Sequence, residues 1–297
     1  MQTVGIVSPG VMGSAMAGVL IRGGARVVAT LDGRSERTAR LGARARIELL
    51  PDLESVVDAS AVVLSIAPPE AALEIGENVA AAARRRGARP LVADLNAIAP
   101  TTAERLEMIV QTAGCDFVDG SISGPPPSKP GTTRLYLSGV RASEIAGLPF
   151  AAVERIVVGD RIGDASAVKM STASVYKGTT AVLTQALLAA RANGVLEHVL
   201  ADLARGAPNL VCNPERRVAN GAAKSARYVG EMLEIAVAQS GAGLTPALFE
   251  GMAEVYAALS QRSLARRHPE ELASDLALTD VLDGLAPPSG RRGEPLP

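Results

Sequence analysis

Val4-Gly5-Ile6-Val7-Ser8-Pro9-Gly10-Val11-Met12-Gly13-Ser14-Ala15-Met16-Ala17 decides the fold. A short apolar run ends at a tight turn, and a helical pattern follows at once. A glycine at Gly10 lets backbone come close to a pyrophosphate, and Gly13 lets the helix pack tightly on the strand. The start of that helix points backbone N–H groups and a partial positive charge at the phosphates. The usual fingerprint has three glycines, and Ser8 stands in the first place. The loop Ser8, Pro9, Gly10, Val11 and Met12 is therefore the candidate cofactor loop.

Outward from this stretch, strand and helix patterns alternate. Thr3 to Val7 is a predicted strand, Gly13 to Arg22 a helix and Arg26 to Leu31 the second strand. The second strand ends at Asp32-Gly33-Arg34-Ser35, where a doubly wound nucleotide domain reads the adenosine ribose. Asp32 there favours NAD. Arg34, next to Gly33 and supported by Ser35 and Arg37, favours the 2′-phosphate of NADP, because a guanidinium matches phosphate geometry. The balance leans to NADP over NAD. Ala45 to Glu48 is a short strand, Leu53 to Val57 a short helix and Ala61 to Ile66 a buried strand running into Ala67-Pro68-Pro69. The prolines fix a loop that would run under the nicotinamide ribose, with Ala67 and Pro68 its candidate contacts. Glu70 to Arg86 is helical and Pro90 to Leu95 is a strand. Asn96 follows at the strand end, where open α/β sheets bind ligands. Thr101 or Thr102 is the expected cap of a helix reaching Thr112. Cys115 to Val118 is a further strand. Such units predict a mostly parallel sheet covered on both faces.

Asp119-Gly120-Ser121-Ile122-Ser123-Gly124-Pro125-Pro126-Pro127-Ser128 is too rich in Gly, Ser and Pro for an element interior and is expected as a loop. The Ser121 and Ser123 hydroxyls and the Gly124 N–H suit a carboxylate or carbonyl oxygen. Thr133 to Ser138 and Arg155 to Val158 read as the last strands, with a helix from Ala142 to Ala146 between them.

From Gly163 the character changes. Small or apolar residues recur at Ala165, Val168, Thr172, Val175, Thr179, Val182, Ala186 and Ala190, the spacing of one long helix. Helical patterns then fill Val195 to Leu203, Ala219 to Ser240, Thr245 to Leu259 and Pro269 to Thr279. The chain divides into an α/β domain over 1–162, a helical domain over 163–286 and a disordered tail over 287–297. Lys169 lies in the first turns of the long helix, where burial in a cleft would lower its pKa toward the range useful for proton transfer. Tyr176 and Lys177 lie two turns further on. A helical half lined with small residues fills its own core poorly, so a homodimer is expected.

Composition narrows the partners. The 297 residues are 47% hydrophobic and 21% charged, with a net charge of −1. That is a globular chain with no nucleic-acid signature, and Arg84-Arg85-Arg86 reads as a solvated helix end. No apolar run is long enough for a membrane span, and the first residues lack the basic region of a signal peptide. Cys115 and Cys212 have no metal-ligand spacing, so no metal is expected and the protein is placed in the reducing cytoplasm.

Gly10-Val11-Met12-Gly13-Ser14-Ala15-Met16-Ala17, Asp94-Leu95-Asn96 with Ile98-Ala99-Pro100, Asp119 to Gly124, and Gly163-Asp164-Ala165-Ser166-Ala167-Val168-Lys169-Met170 occur in a specific order and spacing. In these the chain resembles the β-hydroxyacid dehydrogenase and 6-phosphogluconate dehydrogenase superfamily, over about Val4 to Leu259. Its helical half, with Ala226 to Met232 and Leu248 to Tyr256, is similar to a branch whose C-terminal domain is of a phosphogluconate dehydrogenase type. The resemblance implies a Rossmann domain binding NAD or NADP and a helical domain packing across two subunits. It also implies a small carboxylate-bearing hydroxyacid as substrate, held by Ser123 and Gly124, with Lys169 as general acid/base. Three departures stand out. Ser8-Pro9 replaces the usual Gly-Leu, Pro125 stands where a second glycine is usual, and Thr172-Ala173 replaces an asparagine one turn after the lysine. Thr172 can still meet a substrate. An imine reductase of the same fold and a non-catalytic NADP-binding protein are the alternatives.

Overall fold

The computed structural model describes residues 2–268, 271–273 and 275–287. It contains two compact units. The first runs to Thr172 and takes in Glu234–Pro246, and the second holds Ala173–Leu233 and the described residues from Ala247 onward. The division falls inside a long helix, ten residues beyond the boundary expected at 162.

The first unit is built on one sheet. Its strands are β1 (Thr3–Val7), β2 (Arg26–Ala29), β3 (Glu48–Leu49), β4 (Val62–Ser65), β5 (Leu91–Asp94), β6 (Phe117–Ser123), β7 (Thr133–Ser138) and β8 (Val153–Gly159). Their order is β3-β2-β1-β4-β5-β6-β7-β8, and every neighbouring pair is parallel except β6 with β7. The interleaved helices are α1 (Val11–Arg22), α2 (Glu36–Ala45), α3 (Leu53–Ala59), α4 (Ala72–Arg86), α5 (Pro100–Gln111) and α6 (Ala142–Ala146). The central strands carry the branched, buried residues that a sheet covered on both faces requires. One cluster joins β1, β2 and β4 to Met16, Val19 and Leu20 of α1. On the other side, Val63 and Val92 pack with Ile75 and Val79 of α4 and Leu106 of α5. Each such side chain contributes about 1.5–3 kcal/mol by leaving water.

The strand order reverses between β1 and β4. In open α/β sheets ligands bind in the crevice outside the carboxyl ends of the two strands at such a reversal, which here lead into Ser8–Gly10 and Ile66–Pro69. Two local expectations change. β6 continues to Ser123 instead of stopping at Val118, because Asp119 to Ser123 pair antiparallel with Ser138 to Arg134; ladder bonds override the Gly and Ser content. Neither Thr101 nor Thr102 caps α5. Ala99 is the cap residue and Pro100 opens the helix, a position where a missing N–H costs nothing.

The helices that follow are α7 (Asp164–Ala192), α8 (Leu196–Gly206), α9 (Pro214–Ala223), α10 (Ser225–Gly241), α11 (Ala247–Ser260) and α12 (Leu278–Leu285). The single helix expected over Ala219 to Ser240 is two, α9 and α10, parted at Lys224. Of the helix expected from Pro269 to Thr279, residues 269, 270 and 274 lie outside the described residues, and the helix found begins only at Leu278. The expected disordered tail lies outside them from residue 288 on. In the second unit α9 packs on α11 and α12 around Val218, Ala222, Tyr256, Val281 and Leu282.

The stripe that predicted α7 is buried at its ends, Ala165 and Ala190, but exposed along its middle. Met170, Ala173, Ala181, Leu183, Leu187 and Ala190 are buried, whereas Val175 is 60% and Val182 57% exposed. The helix has apolar residues on more than one face, and periodicity alone did not say which face packs.

Candidate functional site

The loop after β1 is strained in the place where the fingerprint has glycine. Ser8 has φ +67°, a left-handed backbone that costs an ordinary residue about 1–2 kcal/mol. The turn is held by Gly10 N–H donating to Ser8 O at 2.8 Å and by the Ser14 hydroxyl donating to Pro9 O at 2.5 Å. At Gly13 a Cβ would lie 2.6 Å from Ser8 O, so only glycine lets α1 start this close to the turn. A Cβ at Gly10 would meet nothing within 4 Å, and no side chain caps α1 there. Val11 is 42% exposed. An open helix N-terminus behind an unobstructed glycine fits a pyrophosphate.

At the tip of β2 the chain turns through Gly33 at φ +65°. Arg34 is exposed, and its N–H donates to Leu31 O at 3.0 Å. The Ser35 hydroxyl accepts from Thr38 N–H at 3.3 Å and caps α2. Ser35 thus has a local structural task, while Arg34 faces solvent at the ribose-reading position.

A buried polar row crosses the sheet from the carboxyl ends of β4 and β5 through β6 to the end of β7. Ser65, Asp94, Asp119 and Ser138 are register partners on β4, β5, β6 and β7, and none exceeds 4% exposure. Asp94 accepts from Asn96 N–H at 2.9 Å and from Asn96 Nδ2 at 2.7 Å. Asn96 Nδ2 also donates to Ser65 Oγ at 3.1 Å, and Asn96 Oδ1 accepts from Ala67 N–H at 2.5 Å. Asn96 is buried with its amide engaged on both ends. Its observed role is to brace the Ala67-Pro68-Pro69 loop rather than to present a free amide. Burial pushes the Asp94 carboxyl up to about 7; Asn96 and Ser65 pull it down by hydrogen bonding, and Asp119 adds a raising repulsion.

Asp119 anchors the start of α7. Its carboxylate accepts from Gly163 N–H, Ser166 N–H and Ser138 Oγ at 3.0 Å each, and from Ser166 Oγ at 2.6 Å. A carboxylate at a helix N-terminus is favourable, although burial pushes its pKa up against these bonds. The Ser121 hydroxyl is fully buried and donates to Ala165 O at 3.0 Å. Expected as a substrate group, it is instead spent on bolting α7 to β6.

With its first turn fixed, α7 carries Lys169 to the end of β6, where Nζ donates to Ile122 O at 2.7 Å. Ser123, half-buried, and Gly124, exposed, follow directly. Gly124 has φ +112°, and a Cβ there would lie 2.2 Å from Thr132 O, so the loop closes only on glycine. Thr172 is half-buried one turn after Lys169, its hydroxyl donating back to Val168 O at 2.9 Å. In the same unit Glu234 Oε2 accepts from Ala99 N–H at 2.6 Å and Thr102 Oγ1 at 3.0 Å, bracing the start of α5.

Lys169, Ser123 and Gly124 therefore gather at one corner, and Ser8 to Met12, Ala67, Pro68 and Asn96 lie at the ends of neighbouring strands. Asp94, Asp119 and Glu234 were not singled out from sequence. An acidic residue at the end of an apolar strand was the available signal for the first two; Glu234 offered none. In the second unit, Tyr176 is 64% exposed, whereas Lys177 forms a buried ion pair with Glu231 and lies over the Tyr228 ring. Among the described residues, no three His, Cys, Asp or Glu side chains gather as a metal site, and no helix is long and apolar enough to cross a membrane.

Residues 3–143 match the family described as the NAD binding domain of 6-phosphogluconate dehydrogenase, and residues 190–259 match a domain of unknown function, DUF1932. A conserved protein of unknown function, noted for structural similarity with 3-hydroxyacid dehydrogenases, is 27% identical, with 87% of this chain and 96% of that one covered and a TM-score of 0.65. The 3-hydroxyisobutyrate dehydrogenase of Mycobacterium tuberculosis, solved with L-serine, is 20% identical and shares the fold over 96% of this chain and 99% of that one at a TM-score of 0.68. An uncharacterized 28.5 kDa protein of Methanothermus fervidus is 24% identical over 168 residues, which is 57% of this chain and 63% of that protein's length.

Proposed function

We propose, for a chain with the NAD-binding domain of the 6-phosphogluconate dehydrogenase type followed by a DUF1932 domain, that it is an oxidoreductase acting on a small hydroxyacid or a related carbonyl compound, with Lys169 as general acid/base. The observation that carries this reading is the seat of Lys169, whose Nζ is 2.7 Å from Ile122 O, one residue before Ser123-Gly124. Ser123 and the Gly124 N–H receive the substrate carboxylate, and Thr172 lies one turn along the same helix. Pro125 has no N–H to add, so this cradle is smaller than one with a second glycine. Lys169 Nζ takes the hydroxyl proton in oxidation and returns it in reduction. NADP, or NAD, supplies hydride transfer when bound. The Ser8 to Met12 loop and the α1 N-terminus hold the pyrophosphate, Arg34 takes the 2′-phosphate, and Ala67 and Pro68 line the nicotinamide ribose.

The deciding experiment follows nicotinamide absorbance with NADP and NAD against hydroxyacids, keto acids and cyclic imines. Turnover of a hydroxyacid or keto acid should fall about a hundredfold or more in Lys169→Ala. Imine turnover alone, or indifference to the substitution, refutes the assignment. Binding of cofactor with no turnover across the panel points to the non-catalytic alternative. Arg34→Asp should lower the preference for NADPH over NADH by about tenfold or more; an unchanged ratio removes Arg34 from phosphate reading.

The active form is a homodimer, supported by the exposed middle of the apolar stripe of α7, at Val175 and Val182, and by Leu248 of α11 at 59% exposure. Val182→Glu should raise the dimer dissociation constant; a wild type of monomer mass by light scattering refutes the dimer. Free thiols at Cys115 and Cys212 suit a reducing, cytoplasmic setting.

A further inference from the structure

Asn96 has its amide orientation dictated by what faces it. Nδ2 points at two oxygens, Asp94 Oδ2 at 2.7 Å and Ser65 Oγ at 3.1 Å. That leaves Oδ1 for the Ala67 N–H at 2.5 Å, 29 residues away in sequence. The choice holds only while Asp94 is an acceptor. A proton on Asp94 Oδ2 turns that oxygen into a donor. The amide then meets it by rotating so that Oδ1 accepts, which brings Nδ2 against the Ala67 N–H. Two donors face each other and the loop loses its tether.

We infer that Asp94 is a positioning residue that, through Asn96, ties the shape of the Ala67-Pro68-Pro69 loop to the protonation state of the polar row beneath it, so that cofactor affinity rises as Asp94 gives up its proton. This rests on the reading of that loop as the nicotinamide ribose contact. The geometry supplies the coupling, since each oxygen of Asp94 accepts from an Asn96 N–H group, with Ser65 as a further hydrogen-bond partner of the carboxyl, and the same Asn96 amide accepts from the Ala67 N–H. The charged group acting on Asp94 is Asp119, its register partner on β6. β4 faces it with Ser65, and the loop itself offers only Ala67, Pro68 and Pro69, none of which titrates. Asp119 is engaged by four donors and stays tied to α7. Burial moves the Asp94 transition to about 7, so the tether responds within the neutral range instead of at the usual carboxylate pH.

The test is a titration of NADPH and NADH by fluorescence from pH 6 to 8.5 on wild type, Asp94→Asn, Asn96→Ala and the double variant, together with amide hydrogen exchange at Ala67 in cofactor-free protein. Wild type should bind more tightly with rising pH. Asp94→Asn, nearly the same size but offering an amide, should bind about tenfold more weakly at pH 8.5 and lose the pH response. Asn96→Ala should do the same, and the double variant should be no worse than either single one, because both cut one chain of contacts. Ala67 exchange, corrected for its intrinsic pH dependence, should speed up in each variant. Additive losses, or a wild type that binds without pH response and keeps Ala67 protection unchanged in Asp94→Asn, overturn the inference. A wild type that binds neither cofactor while Ala67 still deprotects in the variants refutes the cofactor reading and leaves the tether standing. Should Asp94→Asn fail to fold, Asn96→Ala carries the same expectations.

Discussion

Replacing Asp119 with alanine tests whether one buried carboxylate sets the place of α7. The wild-type side chain is fully buried and accepts four hydrogen bonds, two from main-chain N–H groups of Gly163 and Ser166 and two from the hydroxyls of Ser138 and Ser166. Alanine leaves the hydroxyls free to turn toward other acceptors, but the two N–H groups cannot turn. Each orphaned donor costs about 1–3 kcal/mol, giving roughly 2–6 kcal/mol before any void is counted. Relief of a carboxylate that burial already disfavours offsets part of this. A net loss of about 2–4 kcal/mol is expected, large for a single substitution. Asp119→Asn separates acceptor from charge. With its oxygen in the place of Oδ2, the amide keeps the bonds from Ser138, Gly163 and Ser166 N–H, and its NH2 donates to the Ser166 hydroxyl once that rotates. Its cost should stay within about 1 kcal/mol. Urea unfolding with the slope checked for constancy reads both values. Asp119→Ala within about 1 kcal/mol of wild type, or Asp119→Asn as costly as alanine, would falsify the claim that accepted hydrogen bonds anchor this helix. Lys169 sits on the anchored turns, so turnover should drop with Asp119→Ala and survive in Asp119→Asn.

Ser8→Gly should raise stability by about 0.5–1 kcal/mol, since relief of the left-handed strain exceeds the entropy cost of glycine; a lower urea midpoint would count against strain at that turn. Gly13→Ala places a Cβ 2.6 Å from a backbone oxygen that cannot move alone. It should cost about 1–3 kcal/mol despite better helix propensity and weaken dinucleotide binding at least about tenfold. Calorimetric titration that finds unchanged affinity removes the loop from the binding site. The Asp94 pKa is raised in the folded protein to about 7, above an unfolded value of about 3.9. The native state therefore holds the proton more tightly. Its contribution is complete below about pH 4 and is lost as pH rises toward about 7, by at most about 1.4 kcal/mol per pH unit. Wild type minus Asp94→Asn, from urea midpoints at pH 5 and pH 8, should show that loss. Identical slopes in the two proteins would mean that Asp94 does not titrate in this range.

The sheet was legible because its information is local. β1, β4 and β5 are mostly Val, Ile, Leu and Ala and are bounded by turn residues, and α6 appears where Ala142 to Ala146 predicts it. The errors came where distant residues settle a local choice. Gly120 and Ser121 are poor strand formers by composition, yet Leu137 and Tyr136 opposite them complete the ladder. Lys224 interrupts a helical pattern that the sequence carries on past Gly221 without a proline. The stripe of α7 that is exposed along its middle satisfies helical periodicity as well as the buried face does. Periodicity reports that a face is apolar, and only packing decides which face goes inward.

The site was legible to the extent that it is made of glycine turns and a lysine at a fixed offset. What positions those groups is a set of carboxylates whose partners lie 19 to 47 residues away for Asp119 and up to 135 away for Glu234. A buried carboxylate with no cation beside it is costly unless its oxygens are filled by donors; Asp119 is filled by groups of β7 and the start of α7, and Asp94 by Asn96 just beyond its own strand, with Ser65 of β4. That arrangement converts an unfavourable burial into positional order. Asp119 reaches an acceptable energy only when the first turn of α7 is in place, and Asp94 only when Asn96, which also holds the Ala67 loop, is in place. The corner that carries Lys169 and the candidate cofactor loop are thereby held by adjacent members of one polar row, Asp119 and Asp94. A change in either should be felt at both, which substitution at a surface residue of comparable size would not produce.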